Sequence, residues 1–360
     1  MKSFSLLLII FLLCHSGYAQ KDYYNVDRKI RLIPDHLNIS TEKIASYINT
    51  NFTSEADKVR AAYSWVIQNI AYDTDSMYAI NWNKGGDLKI TESLRRKKGV
   101  CDNFASIFTD IAAKTGLTGI AIDGYTKQGN VIHRTGHTWA AVNVDNKWYL
   151  FDPTWDKDRV NDYHYFMVMP ETLSNSHMPF DPLWQLNDYP ISHRAFHGRG
   201  VGRTEPLISH ADSIKAFMRM SELARLQTAA LRMQREDDIS DLIRNKKAAL
   251  EMMIATIYEE RDMLVYNGSV EALNAATDTY NKFVLKVNAQ DAPKDLISEH
   301  NKKLEPVLTL LKNTLDGLSE IGRYVPSHQY DPTALKSRLM EIIEKIRRVY
   351  PQEKSLTKIL

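Results

Sequence analysis

The sequence of 360 residues is poor in cysteine and has almost no excess of either charge. It contains only two cysteines, Cys14 and Cys101, which excludes a small domain held together by several disulfide bonds. The 46 Lys and Arg residues against 44 Asp and Glu residues give a net charge of +2, so the overall charge does not favour nucleic acid or an anionic membrane as a partner. The 44% of hydrophobic residues indicates a globular chain with a sizeable core.

The first 19 residues have the pattern of a secretory signal peptide. Lys2 supplies a positive charge, residues 6–13 form an uninterrupted apolar run, and small residues precede a cleavage position after Ala19. The run is too short to span a bilayer as a stable helix, and no later run approaches that length. We therefore expect a secreted or periplasmic protein without a transmembrane segment, in which Cys101 is the cysteine that remains. An uncleaved amphipathic anchor is the alternative.

After the signal peptide, the chain has two parts that differ in their predicted secondary structure. Residues 20–195 mix helical and strand patterns, a linker rich in Gly and Arg spans 196–207, and residues 208–360 are almost purely helical. The helical part lacks a sustained heptad repeat, which favours a bundle over a long coiled coil. The predicted helices are 208–235, 238–266, 270–289, 293–323 and 333–350, with Ser269 capping the third.

The first part predicts two helices followed by three strands. Ser54 and Asp57 have the spacing of a capping box at the start of one helix, and a second helix opens at Cys101. Asp145 and Asn146 predict a tight two-residue turn between the last two strands. The strand patterns lie at 118–126, 137–144 and 147–152.

Three residues of this part form a candidate catalytic group. Cys101 lies at a helix start, where exposed backbone N–H groups and the helix dipole favour a thiolate and can stabilise an oxyanion. In the predicted hairpin, Trp139 pairs with Asp152, and His137 points to the same face of the sheet as Trp139. His137 and Asp152 are then diagonal neighbours within side-chain reach. This pattern predicts a nucleophile, a base and a carboxylate that orients the base.

These residues lie in three motifs that resemble the transglutaminase-like superfamily, which has a papain-like cysteine fold. The motifs are Gly99-Val100-Cys101, Gly136-His137-Thr138-Trp139 and Phe151-Asp152-Pro153-Thr154-Trp155. Residues 65–73 look like the lead-in helix of that family. Residues 176–186 are similar to the subgroup that contains the kyphoscoliosis peptidase. The resemblance covers residues 54–190 and leaves the helical part untouched.

The resemblance implies an α+β fold, in which the helix of the nucleophile packs against an antiparallel sheet. An all-α helical bundle domain then follows. It also implies Cys101 as nucleophile, His137 as general base and acid, and Asp152 as the orienting carboxylate, with a thioester-type acyl-enzyme. We therefore predict an exported cysteine acyl-transfer enzyme with a protein or peptide substrate. Hydrolysis of a peptide or isopeptide bond is favoured over glutamine–lysine cross-linking, because no calcium-site pattern is evident.

Other site residues are predicted from their position in the motifs. Trp82 and Asn83, in the polar loop before the cysteine, are candidates for a side-chain oxyanion donor, with ordinary loop packing as the alternative. Trp82 and Trp139 are candidates for substrate binding, although the tryptophans of this part are most simply core or groove-wall residues. His177, in the Ser-His-Met-Pro motif, could line the site, but a structural role is favoured. We expect no metal and no cofactor.

Two other functions stay open at this point. The first part could be a binding or scaffold module, with the helical part as the surface for a protein partner, because residues 208–360 carry no catalytic signature. A cysteine peptidase of the cell-wall amidase type also has the Cys-then-His order. The Asp-Pro-Thr-Trp segment favours the transglutaminase-like type. No nucleic-acid partner is expected in any of these cases.

Overall fold

The computed structural model divides the chain into two compact units, one ending at Ser213 and the other beginning at Ile214. It describes residues 22–75, 86–157, 159, 163–187, 189–199, 210–288, 294–323 and 331–349. Across these ranges, no helix combines the length and the apolar character that a membrane crossing requires. The predicted signal peptide lies outside the described residues, as do Trp82 and Asn83.

The first unit has the predicted α+β architecture. Its helices are α1 (Tyr24–Arg31), α2 (Thr41–Asn51), α3 (Glu55–Asn69), α4 (Gly86–Arg96), α5 (Cys101–Lys114), α6 (Pro170–Leu173) and α7 (His193–Phe196). Its strands are β1 (Ala71–Tyr72), β2 (Lys98–Gly99), β3 (Thr118–Gln128), β4 (Val131–Val144), β5 (Lys147–Phe151) and β6 (His177–Pro179). Phe196, which the sequence places at the start of a linker, closes α7 and is buried.

Four of the strands form an antiparallel sheet in the order β5-β4-β3-β6. The hairpin of β4 and β5 turns at Asp145 and Asn146, whose φ angles of 51° and 61° are those that a two-residue type I′ turn requires. Ala140 pairs with Phe151 in this hairpin, which is the register predicted from the sequence. One further pair along, this register places Trp139 opposite Asp152.

The core of the unit lies between the sheet and two helices, α3 and α5. Ser54 caps α3, because its Oγ accepts the backbone N–H of Asp57 at 3.1 Å, as the sequence predicted. The apolar face of α3 is fully covered, and α5 packs against both β3 and β4. The buried residues of α3 in this face are Val59, Ala62, Tyr63, Val66 and Ile67, followed by Ile70. Burial of both helices fixes the position of the α5 N-terminus, where Cys101 lies.

Gly124 marks a close approach between β3, β6 and the core. A Cβ atom at this position would lie 2.2 Å from the carbonyl oxygen of Met178 and 2.4 Å from Cη2 of Trp139. Neither neighbour is the end of a flexible chain, so a side chain cannot be accommodated without displacing β6 or the indole ring.

We expect the substitution Gly124→Ala to destabilise the fold by about 1–3 kcal/mol or more, because it overpacks this contact. Urea unfolding of the full chain measures the effect. Gly136→Ala is the matched control, since a Cβ there would meet nothing closer than 3.6 Å. Equal unfolding midpoints for the two variants would contradict the assigned packing.

Within its described residues the second unit is all-helical, as predicted, but at two places the chain is divided into helices differently from the prediction. Its helices are α8 (His210–Arg219), which begins four residues before the unit boundary, α9 (Glu222–Gln234), α10 (Asp241–Asn288), α11 (Lys294–Leu318) and α12 (Pro332–Val349). The first predicted helix is divided because Ser221 caps α9, its Oγ accepting the backbone N–H of Ala224 at 3.3 Å. The predicted cap at Ser269 is wrong. Ser269 is buried inside α10, and its hydroxyl donates to the Val265 carbonyl at 2.6 Å, so the helix continues through it.

Candidate active site

Cys101 is the first residue of α5 and a free, half-buried cysteine. Strand β2 leads into α5 and so to Cys101. It pairs in parallel with β1, the short strand that follows α3. The side chain of Asn103 closes the first helical turn by accepting the backbone N–H of Val100 at 2.9 Å. A Cβ at Gly99 would lie 2.5 Å from Cβ of Asn103, so this turn needs a glycine before the cysteine. The glycine of the Gly-Val-Cys motif is therefore required by the close contact between Gly99 and Asn103.

His137 lies between Cys101 and Asp152. Its Nε2 is 2.6 Å from Oδ2 of Asp152, whose side chain is fully buried, while the His137 side chain is 10% exposed. Cys101 is also close enough to the ring to contribute to its raised pKa. Because Nε2 faces the carboxylate, Nδ1 is the ring nitrogen that remains for the sulfur. The structure thus brings together the three residues that the sequence predicted as a catalytic group.

The Asp152 carboxylate is held by four hydrogen-bond donors. Oδ1 accepts the backbone N–H groups of Thr154 at 2.9 Å and Trp155 at 3.1 Å. Oδ2 accepts from His137 and, at 3.0 Å, from Nε2 of His177. Since both oxygens have two donors each, the carboxylate has one orientation that satisfies all of them.

A second buried carboxylate supports the loop that carries Asp152. The hydroxyl of Tyr63, on α3, lies 2.8 Å from the backbone oxygen of Asp152 and 2.8 Å from Oδ2 of Asp156. Asp156 also accepts the backbone N–H groups of His164 at 3.0 Å and Tyr165 at 2.8 Å. These contacts tie the loop to the helix that packs against α5.

The two histidines on Asp152 have pKa values shifted in opposite directions. Burial of His137 acts to lower its pKa, but the charge of Asp152, with hydrogen bonds to Asp152 and Cys101, outweighs burial and raises the pKa to about 10. Burial lowers the pKa of His177, and the charge of His137 adds to this effect. Burial acts to raise the pKa of Asp152, but His137 and His177 hold it well below its usual range. The site therefore contains an imidazolium, a carboxylate and a neutral imidazole.

The raised pKa of His137 predicts a loss of folding stability at alkaline pH. A pKa of about 10, above the ordinary 6.5, gives a stabilising contribution that is complete below pH 6.5 and disappears as the pH rises through about 10. Urea midpoints of the wild type should therefore fall more steeply between these two pH values than those of His137→Gln. If the urea midpoints of the two proteins changed with pH in the same way, the ion pair between His137 and Asp152 would be contradicted.

Aromatic rings cover the two histidines. The half-buried Trp155 lies with its ring centre 5.8 Å from that of His137 and 4.5 Å from that of His177. Trp139 is 1% exposed, and its ring stacks on His137 at 6.2 Å with an interplanar angle of 24°. The structure thus places Trp139 behind the imidazole rather than at the surface, and its contact with substrate stays a prediction. Trp82, the other predicted substrate-binding residue, lies outside the described residues.

Sequence reasoning missed the bond between His177 and Asp152. The Ser-His-Met-Pro motif marked His177, but the contact depends on the pairing of β6 with β3, in which Thr126 is opposite His177. Ligand atoms of His137, Asp152 and His177 lie within 4.8 Å of one another, which is also a metal-site composition. Their mutual hydrogen bonds satisfy these atoms without an ion, so we retain the expectation that the site uses no metal.

Comparison with known proteins identifies the class of this domain. Residues 42–153 match the family model of the transglutaminase-like superfamily. This segment is therefore a transglutaminase-like domain, and the predicted resemblance is confirmed.

Among curated proteins, the chain is similar to the kyphoscoliosis peptidases of Mus musculus and Homo sapiens. The identities are 28% and 27% over 170 residues, which are 42% of this chain and 25% of each relative. The chain therefore spans about a quarter of the length of these relatives. Among solved structures, it is similar to a candidate cysteine protease from Cytophaga hutchinsonii, with 18% identity, a TM-score of 0.27, and coverage of 40% of this chain and 45% of that chain.

Proposed function

We propose that this chain is an exported cysteine acyl-transfer enzyme that hydrolyses peptide or isopeptide bonds with Cys101, His137 and Asp152. The observation that carries the proposal is the 2.6 Å hydrogen bond between the His137 ring and the buried Asp152 carboxylate, and the contribution of the neighbouring Cys101 to the raised pKa of that ring supports it. A cation beside the sulfur stabilises the thiolate, which is the nucleophilic form of cysteine. The resemblance of the three sequence motifs to the transglutaminase-like superfamily implies the same three roles.

The geometry supports a two-step acyl transfer. The Cys101 sulfur attacks the carbonyl carbon of the substrate, and backbone N–H groups at the start of α5 stabilise the oxyanion that forms. His137 gives its proton to the leaving amine as the carbon–nitrogen bond breaks, which leaves a thioester on Cys101. His137 then removes a proton from the attacking water, and the thioester breaks to release the acid and restore the Cys101–His137 pair. Asp152 keeps the ring in the orientation that both steps need.

Two observations support hydrolysis and export. The relatives found by sequence are named as peptidases, and the sequence has no evident calcium-site pattern of the kind that gates cross-linking members. The signal-peptide pattern of the first 19 residues supports export to an oxidising compartment. In such a compartment a half-buried unpaired thiol is open to oxidation. This favours a catalytic role for Cys101 over a cysteine without a function.

One experiment tests whether water or an amine accepts the acyl group. Residues 20–360 are incubated with a peptide library and a primary amine, and the products are identified by mass spectrometry. Cys101→Ala is the control. We expect peptide cleavage that the control lacks. Amine addition with loss of ammonia from glutamine would replace hydrolysis by cross-linking, and unchanged peptides in every reaction would contradict the enzymatic proposal.

The second unit supports a protein partner as the alternative function. The reason for this alternative is that residues 208–360 carry no catalytic signature in the sequence. If the library experiment shows no chemistry, binding through this unit becomes the function to test.

A further inference from the structure

We propose that His177 is a positioning residue of the catalytic group, which holds the Asp152 carboxylate through its Nε2–H and so keeps Asp152 aligned with His137. The effect on turnover rests on the proposed function, whereas the effect on the reactivity of Cys101 does not. The sequence predicted a structural role for His177, and its contact with Asp152 defines what that role is.

The contact places two imidazoles on one carboxylate oxygen. Nε2 of His137 is 2.6 Å and Nε2 of His177 is 3.0 Å from the same Oδ2 of Asp152. The other oxygen is already occupied by two backbone N–H groups. Without His177, Oδ2 would keep one donor only, and the carboxylate could turn about its Cβ–Cγ bond toward an alternative arrangement. His177 therefore restricts the one carboxylate rotation on which the orientation of His137 depends.

The hydrogen bonds also define the tautomer of His177. A carboxylate only accepts, so Nε2 of His177 must carry the hydrogen of this bond. Nδ1 then accepts the hydroxyl of Ser176, which lies 2.8 Å away. This is the neutral ring, in agreement with a pKa that burial lowers. The two histidines therefore have different roles. His137 exchanges its proton during the reaction, whereas His177 stays neutral and donates its Nε2–H to Asp152.

The surroundings of His177 hold its ring in place. The residue is 2% exposed, and its ring centre lies 4.5 Å from that of Trp155, 5.2 Å from that of Trp139 and 5.8 Å from that of Tyr165. The titratable groups that act on it are Asp152, His137 and, from β4, His133. Because the ring is shielded from solvent, it does not reach a bound peptide directly. His177 acts on the reaction through Asp152.

Two substitutions separate the donor from the ring. His177→Phe keeps an aromatic ring for the packing but removes the N–H. His177→Gln keeps a donor, because the amide nitrogen of glutamine can take the place of Nε2. The first readout is the rate at which iodoacetamide alkylates Cys101 at pH 6, where reactivity depends on the pair with His137. The second readout is kcat and KM on a peptide that the wild type cleaves.

We expect His177→Phe to lower both the alkylation rate and kcat by about 10–100-fold, the usual effect of losing such a supporting hydrogen bond, with KM unchanged. His177→Gln should restore most of both rates. Wild-type rates in His177→Phe would overturn the proposal, and so would equal losses in the two variants, since the ring and not the donor would then matter.

A variant outside the ring keeps the test decisive if His177→Phe does not fold. Ser176→Ala removes the hydroxyl that donates to Nδ1, so the ring loses one of its two polar contacts and its Nε2–H is held less firmly against Oδ2. We expect slower alkylation in this variant at an unchanged unfolding midpoint, and unchanged alkylation would contradict the proposal. If the wild type cleaves no peptide but His177→Phe still slows alkylation, the proposed function fails while the positioning role holds.

Discussion

Replacing Cys101 by alanine should reduce turnover to the background rate, a loss of at least roughly 10⁴-fold in kcat/KM, because no other group can form the thioester. The side chain is small and half-buried at the start of α5, so the unfolding midpoint should stay close to that of the wild type. The measurement is kcat/KM on a peptide taken from the library experiment, with urea unfolding in parallel.

Cys101→Ser is the matched control for volume. Its hydroxyl has nearly the shape of the thiol but is a much weaker nucleophile next to an imidazolium, so we expect a similar loss. Substantial turnover in the alanine variant at an intact fold would show that the chemistry does not use this cysteine.

The substitution Asp152→Asn should have the next largest effect, a loss of about 10³–10⁴-fold in kcat/KM. An amide cannot accept from both imidazoles and both backbone N–H groups, so the ring of His137 loses its orientation. Burial acts to lower the pKa of His137, and the Asp152 charge is the largest of the contributions that raise it. The alkaline limb of the pH profile should therefore move to lower pH.

Asp156→Asn is the matched control for this prediction. Asp156 is a fully buried aspartate of the same loop that contacts Tyr63 and backbone N–H groups. We expect Asp156→Asn to lower the stability of the fold but to change the alkaline limb of the kcat/KM pH profile very little. The same shift of the limb in both variants would mean that loop distortion, and not the carboxylate next to His137, sets the proton affinity of the ring.

Much of the first unit could be predicted because its decisive signals are local. Asp145 and Asn146 specify the turn, the turn specifies the register of β4 and β5, and the register places Asp152 beside His137. The start of α5 at Cys101 is likewise a local pattern of a glycine, a helix start and an apolar face. Each step needs only residues close in sequence, so the candidate group was accessible from the sequence.

The parts that could not be predicted depend on distant partners. His177 reaches Asp152 because β6 pairs with β3, which is 49 or more residues earlier in the chain, and a three-residue strand has no periodic pattern of its own. The continuous α10 depends on Ser269 bonding within the helix instead of capping one. Serine has both options, and the packing of the helix decides between them.

The most direct test of the central claim is labelling by a thiol-directed acylating probe at pH 6, with the adduct mapped by peptide mass spectrometry in the wild type and in His137→Gln. We predict a single rapid adduct on Cys101 in the wild type and labelling slowed by about 10²-fold or more when the imidazole is replaced. Equal labelling rates in the two proteins would contradict the account, because Cys101 would then react as an ordinary thiol that His137 does not activate.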